Sequence, residues 1–301
     1  MAPKRPKWAA ITLKLALRYL MASSGLANWA WVGVARVMAN NVATMLQVCF
    51  MFDSDQLKQL HTVYAVPVSH NFMNSAALKV SMFTVRVWDL PTRLFHGALA
   101  ICVLGLFITA ELGGEAMVWH FRLGFAVLTL LLFRLMWGLL GGHWSRWLQL
   151  SLRPSLVRAY LQGRHPSQHW VGHNPLGSWS VLAFLFFLGL QVGTGLISDD
   201  EISNVGPLSF LVPGRWVSWA TTWHKDWGQV IVVVLIALHL SALAWYRFKK
   251  KLSLVPAMVH GDKTLTQAVT PSRDDALARC LALGLFLLSA LGVYLLVSIR
   301  P

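Results

Sequence analysis

Five apolar runs, near residues 91–110, 117–140, 177–197, 221–246 and 276–298, constrain this chain more than any other feature. An α-helix rises about 1.5 Å per residue, so about 20 such residues cross the hydrocarbon core of a bilayer. Each run is that long. Only 13% of the 301 residues are charged, against about 25% in an ordinary soluble domain. The expected fold is an all-α integral membrane protein, with the first four runs forming one bundle and the fifth an additional C-terminal transmembrane helix.

The formal charge is nevertheless +14, and its distribution decides what that excess means. Residues 141–174 between the second and third runs hold Arg146, Arg153, Arg158 and Arg164 and no acid. The fourth run ends in Arg247, Lys249, Lys250 and Lys251. The other two connections are acidic, with Glu111 and Glu115 in one and Asp199, Asp200 and Glu201 against Arg215 in the other. Basic connections stay on the cytoplasmic side, so the first core helix is expected to start in the cytoplasm and the fifth helix to end outside. The basic charge therefore reads as topology, not as nucleic-acid binding.

Residues 1–81 lie outside this pattern. Lys4, Arg5, Lys7, Lys14 and Arg18 come early, and the apolar stretch at 26–52 is interrupted by Arg36, Asn40, Asn41 and Gln47. A further crossing there would reverse the loop charges, and no compact apolar segment leads into a small-residue cleavage site. We expect a poorly ordered basic leader over 1–81, with Met82 a plausible natural start, a core domain over 82–263, and a linker with the fifth helix over 264–301. Cys49, Cys102 and Cys280 are too widely spaced for CxxCH attachment of haem, an iron–sulfur cluster or a zinc ribbon.

Eleven histidines are present, and seven lie in the leader or in loops. The other four, His96, His120, His224 and His239, lie within the spans, where ionisable residues are rare and usually functional. Asp89 can cap the first helix with Pro91 in its opening turn, which puts His96 about two turns in. His120 and His224 sit near the outer ends of their helices. His239 follows His224 by 15 residues, which is about 22 Å along one helix. The histidines thus form an outer layer, His120 with His224, and an inner layer, His96 with His239. Two facing imidazoles per layer are what a helical bundle uses to bind b-type haem without covalent attachment. Structural zinc fits less well, because no acid or cysteine accompanies either pair.

The segments "VWDLPTRLFH", "HFRLGF", "FRLMWGLLGGHWSRW", "GHNPLGSW", "TGLISDDE", "ALHLSAL" and "VPAMVHGDK", in that order between about Val85 and Lys263, resemble the prokaryotic cytochrome b561 family, which includes the b-type cytochrome subunits of nickel–iron hydrogenases. The resemblance implies a four-helix bundle with a haem near each membrane face, ligated from helices one, two and four. His96, His120 and His239 match ligand positions of the family. The family pattern separates the two helix-four histidines by fourteen residues, and here the separation is fifteen. At about 100° per residue that turns His224 from roughly −40° to +60° relative to His239, and a local bulge would restore its facing.

Arg93, three residues before His96, shares its helix face and is a candidate partner for an inner haem propionate. Arg122 beside the outer layer is a similar candidate. "HNPLG", His173 to Gly177, is expected to end a loop and start helix three, with Pro175 in its first turn. Gly124, Gly138, Gly189, Gly193 and Gly195 are explained by helix packing.

The expected function is that of a di-haem b-type cytochrome in a respiratory chain. It would move electrons between membrane quinone or quinol and a periplasmic cytochrome c or a dehydrogenase or hydrogenase subunit. It would be an electron-transfer subunit, not a stand-alone enzyme, with lipid around it. A haem-free transporter or proton channel with a histidine relay is the alternative, although no internal repeat or mid-membrane helix break points to one.

Overall fold

The structure is a computed structural model that describes residues 82–164 and 170–299; the leader expected over 1–81 lies outside the described residues. Five helices there are long and apolar enough to cross a membrane: α1 (Leu90–Leu112), α2 (Met117–Leu140), α4 (Pro175–Ile197), α6 (Gln229–Phe248) and α8 (Ala276–Val297). The short helices α3 (Pro154–Leu161), α5 (Gly214–Thr222) and α7 (Val255–His260) connect or extend them. The chain is a multi-pass membrane protein.

The helix starts follow from their first residues. Asp89 accepts the Thr92 amide at 2.8 Å with Pro91 in the opening turn, and Asn174 accepts the Gly177 amide at 2.7 Å with Pro175 at the first position. Both satisfy amides that have no partner within the helix. The fourth span is longer than expected. Its helix begins at Gly214, not near 221, and runs 35 residues to Phe248. Trp216, Trp219 and Trp223, in ring contact on this extension, suit a membrane–water interface more than the hydrocarbon core, which is why apolarity alone hides the first turns.

Helix α2 is the most enclosed of the five. Its Val127 and Leu131 pack with Leu188, Val192 and Leu196 of α4 and Val232 of α6. Ile101, Leu104, Val233, Leu238 and Leu288 point outward, where lipid is the solvent. The fifth helix, α8, packs on α2 and touches α1, burying Ala278 and Ala282 against Phe133 and Trp137, with Phe95 alongside.

The ends of α1, α2, α4 and α6 meet around a small antiparallel ladder, β1 (Phe83–Arg86) with β2 (Asp262–Leu265), paired from Phe83↔Leu265 to Arg86↔Asp262. We call this the sheet end and the opposite one the far end. The ladder is an addition to the all-α expectation. Four-residue strands carry no readable alternation, and the partners are far apart in sequence.

Two buried carboxylates tie the sheet end together. Asp89 is fully buried and accepts four hydrogen bonds: Thr92 N and Trp137 Nε1 on Oδ1, Gly142 N and Ser145 Oγ on Oδ2. It thereby joins α1 to the end of α2 and the loop beyond. Asp274 accepts the Leu90 amide at 3.1 Å and pairs with Arg86 and with Arg279 at 3.2 Å. Ser272 donates to Val87 O and its amide to Arg86 O. The connection into α8 is thus laid against the start of the bundle.

Candidate haem sites

The structure brings the four intramembrane histidines together in two pairs. His96 of α1 and His239 of α6 have ring centroids 6.3 Å apart, toward the sheet end. His120 of α2 and His224 have centroids 6.1 Å apart, toward the far end. A hydrogen bond between two imidazoles would bring their centres to about 5 Å. By contrast, an imidazole nitrogen binds a first-row metal at about 2.0 Å with its ring centre about 1.1 Å behind, so ligands on opposite sides of one ion stand about 6.2 Å apart. At these distances each pair could hold one metal ion between its two rings.

Among the described residues, no group of three or more His, Cys, Asp or Glu could hold a bare metal ion. Two protein ligands suffice only when the other four donors come with the metal, as in a porphyrin. The donor set therefore fits haem and does not fit structural zinc, whose sites take four protein ligands.

Neighbouring backbone orients the far-end rings. His120 Nδ1 lies 3.1 Å from Leu106 O and 3.3 Å from Thr109 Oγ1, and His224 Nδ1 lies 2.8 Å from Gln191 O. A carbonyl only accepts, so in each ring Nδ1 carries the proton and Nε2 keeps its lone pair for a metal. This is the outer-shell arrangement usual for metal-bound histidine. Phe184 stands edge-on to His239, centroids 5.8 Å apart.

His224 lies in a π-helical segment, Trp223–Gly228, between α5 and α6. A π turn accommodates one residue more than an α turn. It absorbs the extra residue of the fifteen-residue spacing and brings His224 back toward His120. Gln191 on α4 braces it by donating Nε2–H to His224 O at 2.9 Å. Two glycines make room. A Cβ on Gly228 would overlap Gln191 Oε1, and one on Gly195 would lie 2.8 Å from His224 Cε1.

Two outcomes follow. Deleting the exposed Lys225 should convert the wide turn to an α turn and keep the far-end site, whereas inserting an alanine after Lys225 should abolish it; haem content of the two purified variants checks this. Gly195→Ala should push the His224 ring aside and lower far-end haem occupancy, read from the same assay.

The two arginines have different surroundings. Arg93 donates to Val259 O at 2.7 Å and approaches Asp274 at 3.9 Å, leaving its buried Nε without a partner. Arg122 lies over the Trp119 ring, 4.8 Å from its centroid. Sequence reasoning missed Gln191 and Gly195, whose roles depend on the approach of α4 to the wide turn. It also passed over Arg134 within α2, and set His173 aside as a loop residue.

A model of the prokaryotic cytochrome b561 family matches residues 87–261, more than half of the chain, with all four histidines inside the match. The chain belongs to the prokaryotic cytochrome b561 family. It is a membrane b-type cytochrome of electron transfer. Three similar proteins are each described as a probable Ni/Fe-hydrogenase B-type cytochrome subunit. The one from Bradyrhizobium diazoefficiens is 25% identical over 216 residues, covering 60% of this chain and 86% of that protein. That of Azotobacter chroococcum mcd 1 is 30% identical over 214 residues, 59% of this chain and 87% of the relative. The Azotobacter vinelandii protein is 29% identical over 215 residues, with coverage of 59% and 87%. No solved structure matches this cytochrome.

Proposed function

We propose that this cytochrome holds two haems b, one between His96 and His239 and one between His120 and His224, and carries electrons between membrane quinone and a partner redox protein. The observation that carries the reading is the spacing of the two pairs, 6.3 and 6.1 Å between ring centroids. Haem b, when bound, supplies a reversible one-electron iron couple.

The protein's own residues do the rest. The histidines fix the position of each site, and the carbonyls of Leu106 and Gln191 hold the far-end tautomers. The apolar side chains of α1, α2, α4 and α6 keep water from the interior. The buried Arg93 Nε–H at the sheet end and Arg122 at the far end are the proposed partners of propionates. Because the fourth crossing carries His224 in the π-helical segment and His239 in α6, the sites stand about 20 Å apart along the membrane normal, one near each face.

The sheet end carries Arg146, Arg153, Arg158, Lys249, Lys250 and Lys251, so we place it in the cytoplasm of a bacterial inner membrane and the end of α8 in the periplasm. The partner is then a periplasmic hydrogenase or other dehydrogenase subunit, or a cytochrome c, at the far face. The hydrogenase assignment is supported by the descriptions of the relatives.

A pyridine haemochrome assay and a reduced-minus-oxidised spectrum on the purified protein test the reading. About two haems b per chain are expected. None, after expression with ample haem, would overturn it and favour the histidine-relay transporter.

A further inference from the structure

Arg134 is an ionisable residue within the transmembrane helix α2, and its surroundings use only part of its hydrogen-bonding capacity. It is 4% exposed. Nη2 donates to Ser145 O at 3.0 Å, and the guanidinium lies 4.4 Å from the centroid of the Trp147 ring. Buried Nη1 has no partner. Leaving a buried, charged donor unbonded costs more than leaving a neutral one, and intramembrane arginines usually mark a site.

Its position fits one. Arg134 follows His120 by fourteen residues, about 21 Å along α2 and within about 40° of the same face. It therefore faces the bundle at the level of His96 and His239. The bonds around it lead to the same place. Ser145 joins Thr92 Oγ1 at 2.8 Å, one residue before Arg93.

His173 also reaches this region. Its ring lies 4.7 Å from that of Trp88, and its Nδ1 is shielded from water without a partner. Lys263 donates to Val171 O at 2.6 Å, two residues away. Burial first, then the fields of Arg134, Lys263 and His96, push the His173 imidazolium down to about 3, and burial lowers Lys263 to about 8. Arg134 and Lys263 thus place positive charge around a neutral His173, with Asp89 already occupied by four other groups.

We infer that Arg134 Nη1 and His173 Nδ1 form a carboxylate site that binds a propionate of the sheet-end haem, with Lys263 supplying further positive field. This rests on the haem reading above and adds to it two residues outside the ligand set. Arg93 and Arg134 each contribute an unused N–H to the same layer, and the unpartnered Nδ1 of neutral His173 contributes a third in the tautomer that places its proton there. Arg134 is a positioning residue that sets the potential of the haem without touching its iron.

Redox titration of the purified full chain tests this, with wild type, Arg134→Gln and Arg134→Lys compared and His96→Ala used to identify the sheet-end haem. Arg134→Gln should keep both haems. The sheet-end haem should titrate at lower potential, since a carboxylate without its cation favours ferric iron, and the far-end haem should not move. The resonance Raman propionate bending band should shift, and transfer of sheet-end haem to excess apomyoglobin should accelerate about tenfold, the worth of one charge-assisted hydrogen bond. Arg134→Lys, which keeps the charge and loses the fork, should fall between and serves if the glutamine variant does not fold. Adding His173→Leu should have a less than additive effect, as for two donors to one group.

An unchanged potential and Raman band in Arg134→Gln would overturn the site, as would equal shifts of both haems, which mean general loosening. Loss of a copurifying anionic phospholipid with unaltered haem spectra would assign the donors to a lipid phosphate instead. Absence of haem from the wild type would overturn the underlying reading and this addition with it, whereas normal haem content with an unmoved potential overturns this addition alone.

Discussion

A His239→Ala variant is expected to retain about half of the haem b of the wild type, and a His224→Ala variant the other half. Each histidine belongs to one pair only, and the pairs are separated by about 14 residues of continuous α6 helix and wide turn, so removing one ring leaves the other site its geometry. On the proposed reading the histidine left behind, His96 in the first case and His120 in the second, would face a methyl group across the space of a metal ion. One imidazole and no covalent attachment is a weak hold for an apolar macrocycle in detergent. Pyridine haemochrome content of each variant, with the spectrum of the double variant as baseline, checks this. If His224→Ala retains both haems, His224 is not a ligand and the far-end site requires another residue. If both single variants lose all haem, the two sites are coupled through folding, not independent.

The second large effect should come from Asp89, which tethers the sheet end and belongs to neither histidine pair. Asp89→Asn preserves shape, yet it should destabilise the protein by about 3 kcal/mol or more. Each carboxylate oxygen accepts two donors, Oδ1 from Thr92 and Trp137 and Oδ2 from Gly142 and Ser145. An asparagine amide would turn a donating NH2 toward one of those donor pairs whichever way it is flipped. Asp89→Ala leaves all four donors without acceptor and removes the cap of α1 as well. Thermal unfolding in detergent, followed by circular dichroism, should show a midpoint lower by about 10 °C for either substitution. A midpoint within two or three degrees of wild type would mean that water replaces the carboxylate, and that the knot is less buried than its geometry implies.

Much of this architecture is legible in the sequence because lipid imposes simple rules. Long apolar runs mark the spans, and Asp89 and Asn174 announce helix starts by the same capping chemistry that operates in water. Depth, computed from helical rise, sorts the histidines into the two pairs found in the structure. The fifteen-residue spacing even locates the irregularity, since only an extra-wide turn reconciles His224 with His120. What is not legible depends on contacts distant in sequence. Nothing local distinguishes Arg134, set in "LLLFRLMWG", from a stray charge. His173 looks like any loop histidine until the pairing of β1 with β2 brings Lys263 up to Val171 and packs Trp88 against the imidazole. The bracing of the wide turn by Gln191 requires knowing that α4 lies against it, and Gly195 acquires a role only through that neighbour.

Both histidine pairs draw one member from the same helical rod, since His224 and His239 follow one another on the fourth crossing. This has a consequence for biosynthesis. As the chain emerges, His96 and His120 enter the bilayer first and wait without counterparts while α4 is inserted. Neither pair can close until the segment from Trp223 to Phe248 has crossed. On the proposed reading, cofactor loading would follow the fourth insertion, while the fifth helix adds no histidine to either pair. A chain released after Ile197 possesses half of each site and the whole of neither, whereas one released after Leu265 possesses all four rings.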